Sequence, residues 1–139
     1  MLADDDADDR MLFEDAVNEV DAKATLAFSI DGVELMDKLS ESATEIPYVI
    51  FLDINMPKKN GFECLEQIRL SPLLKDIPVV MYSTSSQEDA VNKAYKAGAN
   101  FYVKKPDNFC TLKSIIQKVL SINFSISSLT SRDSFILTA

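Results

Sequence analysis

Histidine and tryptophan are both absent from the 139 residues, and glycine occurs 3 times, cysteine 2 times and proline 5 times. The missing imidazole removes Ser-His-Asp triads, the commonest zinc ligand and any phosphohistidine formed on this chain itself. Cys64 and Cys110 have no CxxC spacing. That excludes a disulfide framework or a thiolate metal site and leaves two reduced packing residues in helical contexts. So little glycine and proline excludes a fibrous or low-complexity chain. No apolar run approaches the roughly 20 residues of a membrane helix, and the amino terminus is acidic where a signal peptide is basic. A cytoplasmic location with no membrane partner is therefore expected. The net charge of -8 argues against direct nucleic-acid binding, which needs clustered Lys and Arg to displace counterions. Whatever chemistry this chain performs must run on carboxylates, hydroxyls and lysines.

What the chain does have is 47% hydrophobic residues arranged in short apolar runs that alternate with helix-period segments. This pattern predicts parallel strands joined by helical crossovers around one core. Five strands are expected: Met1 to about Asp4; "KATLAFSI", ended by an Asp31-Gly32 turn; "YVIFLD" after Pro47; "VVMYS" after Pro78; and "NFYVK". Both prolines are read as first strand residues, where a missing amide donor does least harm. Between the strands, apolar residues at spacings of three and four mark helical stripes. The stripes are Leu12, Phe13, Ala16, Val17 and Val20; Val33, Leu35, Met36 and Leu39; Phe62, Leu65 and Ile68; Ala90, Val91, Ala94 and Ala97; and Leu112, Ile115, Ile116, Val119 and Leu120. Ser86 with Asp89 reads as a capping box opening the fourth helix, and Gly98 as its left-handed stop. Residues 122 to 139 change character, with Ser and Thr dominant and Ile122, Phe124 and Ile126 alternating with polar residues. A partly ordered tail, an added edge strand and an interface segment pairing two copies as a homodimer all fit this stretch.

In such a sheet ligands bind at the carboxyl ends of the strands, so those ends carry the functional argument. The first strand runs into Asp4, Asp5 and Asp6, the third into Asp53, the fourth into Ser83 and Thr84, and the fifth into Lys104, Lys105 and Pro106. Taken singly, each has a plain structural reading: Asp4 to Asp9 as a helix cap and acidic first turn, Ser83 as a capping hydroxyl, Lys105 as a solvated lysine. Together they put complementary groups on one rim. Carboxylates a few Å apart repel by roughly 4 kcal/mol per pair at an effective dielectric near 20, so the cluster calls for a cation. Oxygen ligands select a hard ion such as Mg²⁺, which leaves coordination positions for phosphate oxygens. With metal and Lys105 withdrawing charge, the Asp53 carboxylate could attack phosphorus and carry an acyl phosphate.

These stretches closely resemble the receiver domain of two-component response regulators, the flavodoxin-like fold of the chemotaxis response regulator. The resemblance spans about residues 1 to 121 and rests on "LADDD", "FLDINMPKKNGFECLEQIR", "IPVVMYST" and "KAGANFYVKKP". It implies a doubly wound, five-stranded parallel sheet of order 2-1-3-4-5 with five helices in three α/β/α layers; the tail over 122–139 has no counterpart in the family. It further implies that Asp53 is the phosphoacceptor and that Asp4 and Asp5 help to bind Mg²⁺, with the backbone carbonyl of Asn55 completing the metal site. Ser83 matches the hydroxyl that swings to a phosphoryl oxygen and Lys105 the lysine that pairs with it. Lys105-Pro106 matches a cis peptide, and Tyr102 an aromatic switch on the face made by the fourth helix, fifth strand and fifth helix. Asn55 and Ser85 are positioned to tune dephosphorylation. The expected partners are a histidine kinase or phosphotransfer protein as donor and a downstream protein as target. Activity would be partly enzymatic, with the chain as its own substrate. Two other functions are weighed: a receiver-fold interaction module that works without phosphorylation, and a Mg²⁺-dependent phosphatase. The second normally needs an acid-base Asp just after the nucleophile, and Asn55 stands at that offset.

Overall fold

The computed structural model describes residues 1–41, 46–85, 87–122, 124 and 134–138. Five strands, β1 (Leu2–Ala3), β2 (Phe28–Ser29), β3 (Ile50–Leu52), β4 (Val79–Ser83) and β5 (Phe101–Lys104), form one parallel sheet in the order β2-β1-β3-β4-β5. Five helices connect or follow them: α1 (Ala7–Val20), α2 (Gly32–Glu41), α3 (Gly61–Leu70), α4 (Glu88–Ala97) and α5 (Phe109–Ser121). Successive strand side chains point to opposite faces, and the two core clusters divide accordingly. Ala3, Ile50, Leu52, Val79, Met81 and Tyr102 pack with α2, α3 and α4. Leu2, Phe51, Val80, Tyr82, Phe101 and Val103 pack with α1 and α5. The three-layer α/β/α expectation is met.

Each predicted stripe supplies the buried face of its helix, with Leu12 and Val33 left exposed at the margins. Caps fix the helix starts. Asp6 accepts from the amides of Asp8 and Asp9, Asn60 from Glu63, and Asn108 from Thr111. Asp31 Oδ1 accepts from the Glu34 amide at 2.8 Å at the start of α2. Gly98 ends α4 with φ 99°, a conformation that L side chains adopt at a cost. Gln87 takes the N-cap position of α4 without a side-chain cap bond, and Ser86 lies outside the described residues.

Several expected details differ. The second strand, read as eight residues, pairs only at Phe28 and Ser29, because its one neighbour, β1, offers only Leu2 and Ala3. Pro47 and Pro78 stand outside the strands they precede, since β3 starts at Ile50 and β4 at Val79. Cys64 is buried, as a packing residue should be, whereas Cys110 is exposed. No cis peptide occurs among the described residues, so Lys105-Pro106 is trans, the isomer that even X-Pro bonds favour by about 0.5–1 kcal/mol.

In the carboxy-terminal segment, Ile122 caps α5 and Phe124 packs edge-on to Tyr48 and Phe101. Ile126 lies outside the described residues, and further along Ile136 forms a parallel bridge with Tyr102. The Tyr102 amide donates to the Phe135 carbonyl at 3.0 Å and the Leu137 amide to the Tyr102 carbonyl at 2.9 Å. Phe135 is fully buried against Tyr95 and Tyr102. This short stretch covers the free edge of β5, which would otherwise expose unpaired backbone groups.

Candidate functional site

Strand register builds the site. Ala3 pairs with Leu52, so the next residue on each strand, Asp4 and Asp53, emerges side by side. The Asp53 amide donates to the Ala3 carbonyl at 2.9 Å and the Asp4 amide to Ser29 at 3.0 Å. Ser83 pairs with Lys104, and the Lys105 amide donates to the Ser83 carbonyl at 2.7 Å. The chain order reverses direction across the sheet between β1 and β3, and at such a switch point the flanking loops part and leave a crevice. Asp4 and Asp53 sit at its two lips. An apolar cavity of about 470 Å³, lined by Phe13, Val17, Tyr48, Phe51 and Leu120 among others, lies at the amino-terminal edge of the sheet. Its walls carry one carboxylate, Asp21, whereas the acids and Lys105 gather at the carboxyl-terminal rim.

Asp4, Asp5 and Asp53 bring carboxylate oxygens within 4.8 Å of one another. Asp4 and Asp53 are buried while Asp5 is exposed, which leaves an open side. Lys105 is the cation among them, with Nζ 2.9 Å from Asp4 Oδ2, 2.9 Å from Asp9 Oδ2 and 3.3 Å from Asp53 Oδ2. The contacts to Asp9 and Asp53 are aligned hydrogen bonds. The contact to Asp4 is not, so the fully buried Asp4 Oδ2 accepts no hydrogen bond. Asp4 Oδ2 is thus compensated only by an ammonium that it shares with two other acids, and a hard cation seated among Asp4, Asp5 and Asp53 would add to that compensation. The donor set, all carboxylate oxygen with one open side, fits a divalent ion that retains water or phosphate ligands.

Burial pushes the Asp53 carboxyl up to about 6, with nearby Asp4 adding to the rise and Lys105 opposing it. Burial works against the Lys105 ammonium, yet Asp9, Asp4 and Asp53 outweigh it and hold its pKa above the ordinary lysine value. The Tyr82 ring lies under the ammonium, its centroid 5.4 Å from Nζ.

The loop after Asp53 is held close. The Gly61 amide donates to the Ile54 carbonyl at 2.8 Å, and a Cβ at Gly61 would stand 2.3 Å from the Asp53 carbonyl oxygen. Asn55 is exposed on this loop, its amide 3.4 Å from Asp53 Oδ1. Lys58 adopts φ 68° and pairs with Asp31 at 3.5 Å. On the opposite side Ser83 is fully buried, its Oγ accepting from the Ser85 amide at 3.2 Å. Tyr102, 1% exposed, donates its hydroxyl to the Ser85 carbonyl at 2.6 Å. Tyr102 thus touches both the loop beside the site and the terminal stretch on the edge of β5.

Of the candidate site residues read from the sequence, Asp4, Asp5, Asp53 and Lys105 come together at this rim, and Asn55, Ser83, Ser85 and Tyr102 lie beside it. Missing from that reading were Asp9, which binds Lys105, and Arg10, whose Nη1 donates to the Asp4 carbonyl at 2.8 Å. In sequence both belong to the acidic cap and first turn of a helix. The available signal was their position in the first turn after β1, which passes directly over the rim.

The sequence profile described as "Response regulator receiver domain" matches residues 1–117. This chain belongs to the response regulator receiver family. It is 33% identical over 125 residues to response regulator Rcp1 from Synechocystis sp., covering 87% of this chain and 85% of that protein. Among solved structures it resembles the phosphorylated cyanobacterial phytochrome response regulator RcpA, with a TM-score of 0.79, 33% identity, and 93% and 94% of the two chains covered. The Mn(2+)-bound form of Rcp1 superposes with a TM-score of 0.69, also at 33% identity and with the same coverage of 93% and 94%. The five-stranded order and five helices are those of this fold; receiver domains bind a divalent metal, and this chain has an acidic cluster at Asp4, Asp5 and Asp53 that is compatible with one. Among the described residues no helix is long and apolar enough to cross a membrane.

Proposed function

We propose that this receiver, with its core over residues 1–121 and a tail over 122–139, accepts a phosphoryl group on Asp53 from a phosphohistidine of a histidine kinase or phosphotransfer protein. The observation that carries the reading is the grouping of buried Asp53 and Asp4 with Asp5 and Lys105, in which Asp4 Oδ2 lacks a hydrogen bond. Asp4, Asp5 and Asp53 would hold Mg²⁺, with the Asn55 backbone carbonyl alongside. When bound, the ion neutralises carboxylate charge and that of the incoming phosphoryl oxygens.

A carboxylate oxygen of Asp53 attacks phosphorus as the donor's P–N bond breaks, the electron pair leaving on the imidazole nitrogen, and an acyl phosphate forms. Lys105 supplies positive charge to the phosphoryl oxygens, and the trio of acids around it keeps it protonated. The Ser83 hydroxyl exchanges the Ser85 amide for a phosphoryl oxygen. Because Tyr102 is bonded to the Ser85 carbonyl, that exchange would change the setting of Tyr102 and thereby the face offered to a downstream protein. Hydrolysis returns the carboxylate: water attacks phosphorus, inorganic phosphate leaves, and Asn55 and Ser85 border the water's approach.

The presence of Rcp1 in a Mn(2+)-bound form and of RcpA in a phosphorylated form supports both parts of this reading. Incubation with acetyl phosphate and Mg²⁺ tests it by intact-protein mass. One phosphoryl group should be gained and lost again on hydrolysis, and Asp53→Asn should gain none. No gain in the wild-type chain, or equal gain in the variant, overturns the reading.

A further inference from the structure

Lys105 has three N–H donors and meets three carboxylates. Two of them, Asp4 and Asp53, also belong to the trio that converges on the candidate metal position. A divalent cation there would take oxygens that Lys105 now shares, and would repel the ammonium from the same short range. Asp9 alone among the three stands outside the trio. Its contact is also the shorter of the two aligned hydrogen bonds, 2.9 Å against 3.3 Å for Asp53. Asp9 is itself held in place, because its amide donates to the Asp6 cap at 3.2 Å in the first turn of α1.

We propose that Asp9 is a positioning residue that keeps the Lys105 ammonium over the acceptor when Asp4 and Asp53 turn to the metal. The inference rests on the acceptor reading above and assigns Asp9 a part in it. In the resting chain Lys105 serves all three acids. With Asp4, Asp5 and Asp53 engaged, one N–H stays on Asp9 and the N–H groups not held there turn toward the oxygens of the incoming phosphoryl group. The Tyr82 face beneath the ammonium, at 5.4 Å, restricts its remaining directions. Without Asp9, the ammonium would lose its one carboxylate partner outside the metal trio and move toward solvent.

The test uses the full chain and beryllofluoride with Mg²⁺ as the phosphoryl mimic, titrated by calorimetry, with Mg²⁺ alone titrated in parallel. Asp9→Ala and Asp9→Asn should weaken beryllofluoride binding about tenfold, as loss of a supporting partner typically does, and Asp9→Glu should recover most of the loss. In a Lys105→Met background the Asp9 substitutions should add nothing, because their effect passes through the lysine. A merely structural role for Asp9 would cost as much with Lys105 as without it. Unchanged or tighter binding in the Asp9 variants, or an equal loss in the Lys105→Met background, overturns the inference and leaves the acceptor reading standing. Failure of the wild-type chain to bind beryllofluoride with Mg²⁺ overturns the acceptor reading, and this inference with it.

Discussion

Asp53 lies almost wholly inside the molecule at the end of an apolar strand, and its ionisation sets a cost that folding must bear. Its folded pKa is near 6, above the ordinary 3.8, chiefly because burial disfavours the charged form. The folded chain therefore holds this proton more tightly than the unfolded chain. Between pH 4 and 6 it carries more protons than the unfolded state, so metal-free stability falls as pH rises through that window and stays reduced above it. Asp53→Asn should stabilise the metal-free protein at pH 7.5 by on the order of 2 kcal/mol and give no gain at pH 4. Urea unfolding at the two pH values checks this, and an equal gain at both would show that ionisation is not the cause. Lys105 keeps Asp4 and Asp9 in that variant, so the cation is not stranded. The residues that flank Asp53 were legible one by one in the sequence. Asp9 and Arg10 were not, because in the run from Asp4 to Asp9 side chains of identical chemistry take different partners. Asp6 serves the helix amides, whereas Asp4 and Asp9 serve the lysine.

At the scale of elements, the loop from Asp53 to Gly61 and the stretch Phe135–Leu137 do the work that strands alone could not. Gly61 lets α3 begin against the Asp53 carbonyl, and an added methyl would overlap backbone at 2.3 Å and 2.9 Å. Backbone cannot give way as a side chain can, so Gly61→Ala should cost about 2 kcal/mol of stability and slow phosphoryl gain from acetyl phosphate. Thermal unfolding and the mass assay read the two effects; full activity with wild-type stability would contradict the geometry. Phe135 fills the space beside Tyr95 and Tyr102 and aligns two backbone bonds on the edge of β5. Truncating a buried Phe in a core costs about 3–5 kcal/mol. This stretch can detach from β5 instead, so the loss from Phe135→Ala should stop near 2 kcal/mol, the amides of Tyr102 and Leu137 losing hydrogen-exchange protection together. Protection that survives in either amide would show that the edge is held by something other than Phe135. The alternation at Ile122, Phe124 and Ile126 drew attention to the tail, and among the described residues edge pairing falls on residues 135 to 137. Which residues pair depends on where the chain returns past β5, and local periodicity holds no record of that return.

For the molecule as a whole, Asp4, Asp5, Asp9 and Asp53 gathered about the one Lys105 ammonium leave the metal-free fold with an excess of negative charge at the rim. An ion that binds only the folded chain stabilises it by about 2.7 kcal/mol at a free concentration of 100 times its dissociation constant. Mg²⁺ should raise the unfolding midpoint well beyond what Na⁺ does at matched ionic strength, and Asp4→Asn should remove most of that difference. Equal effects of the two salts would mean that only general screening is at work. The layers of the fold and the gathering of these side chains were determined by the sequence alone: apolar runs ending in Asp4, Asp53, Ser83 and Lys105, separated by helical stripes, admit few arrangements other than a parallel sheet with those residues at its carboxyl ends. Tertiary structure decided what those patterns leave open: that Lys105 is shared among Asp4, Asp9 and Asp53, that Lys105-Pro106 is trans, that β2 pairs over two residues, and that Phe135 closes the edge at Tyr102. The physical reason is range. Periodicity and strand ends are properties of neighbours in the chain, whereas partner choice among identical carboxylates and pairing along a free edge depend on distances set only when remote segments pack.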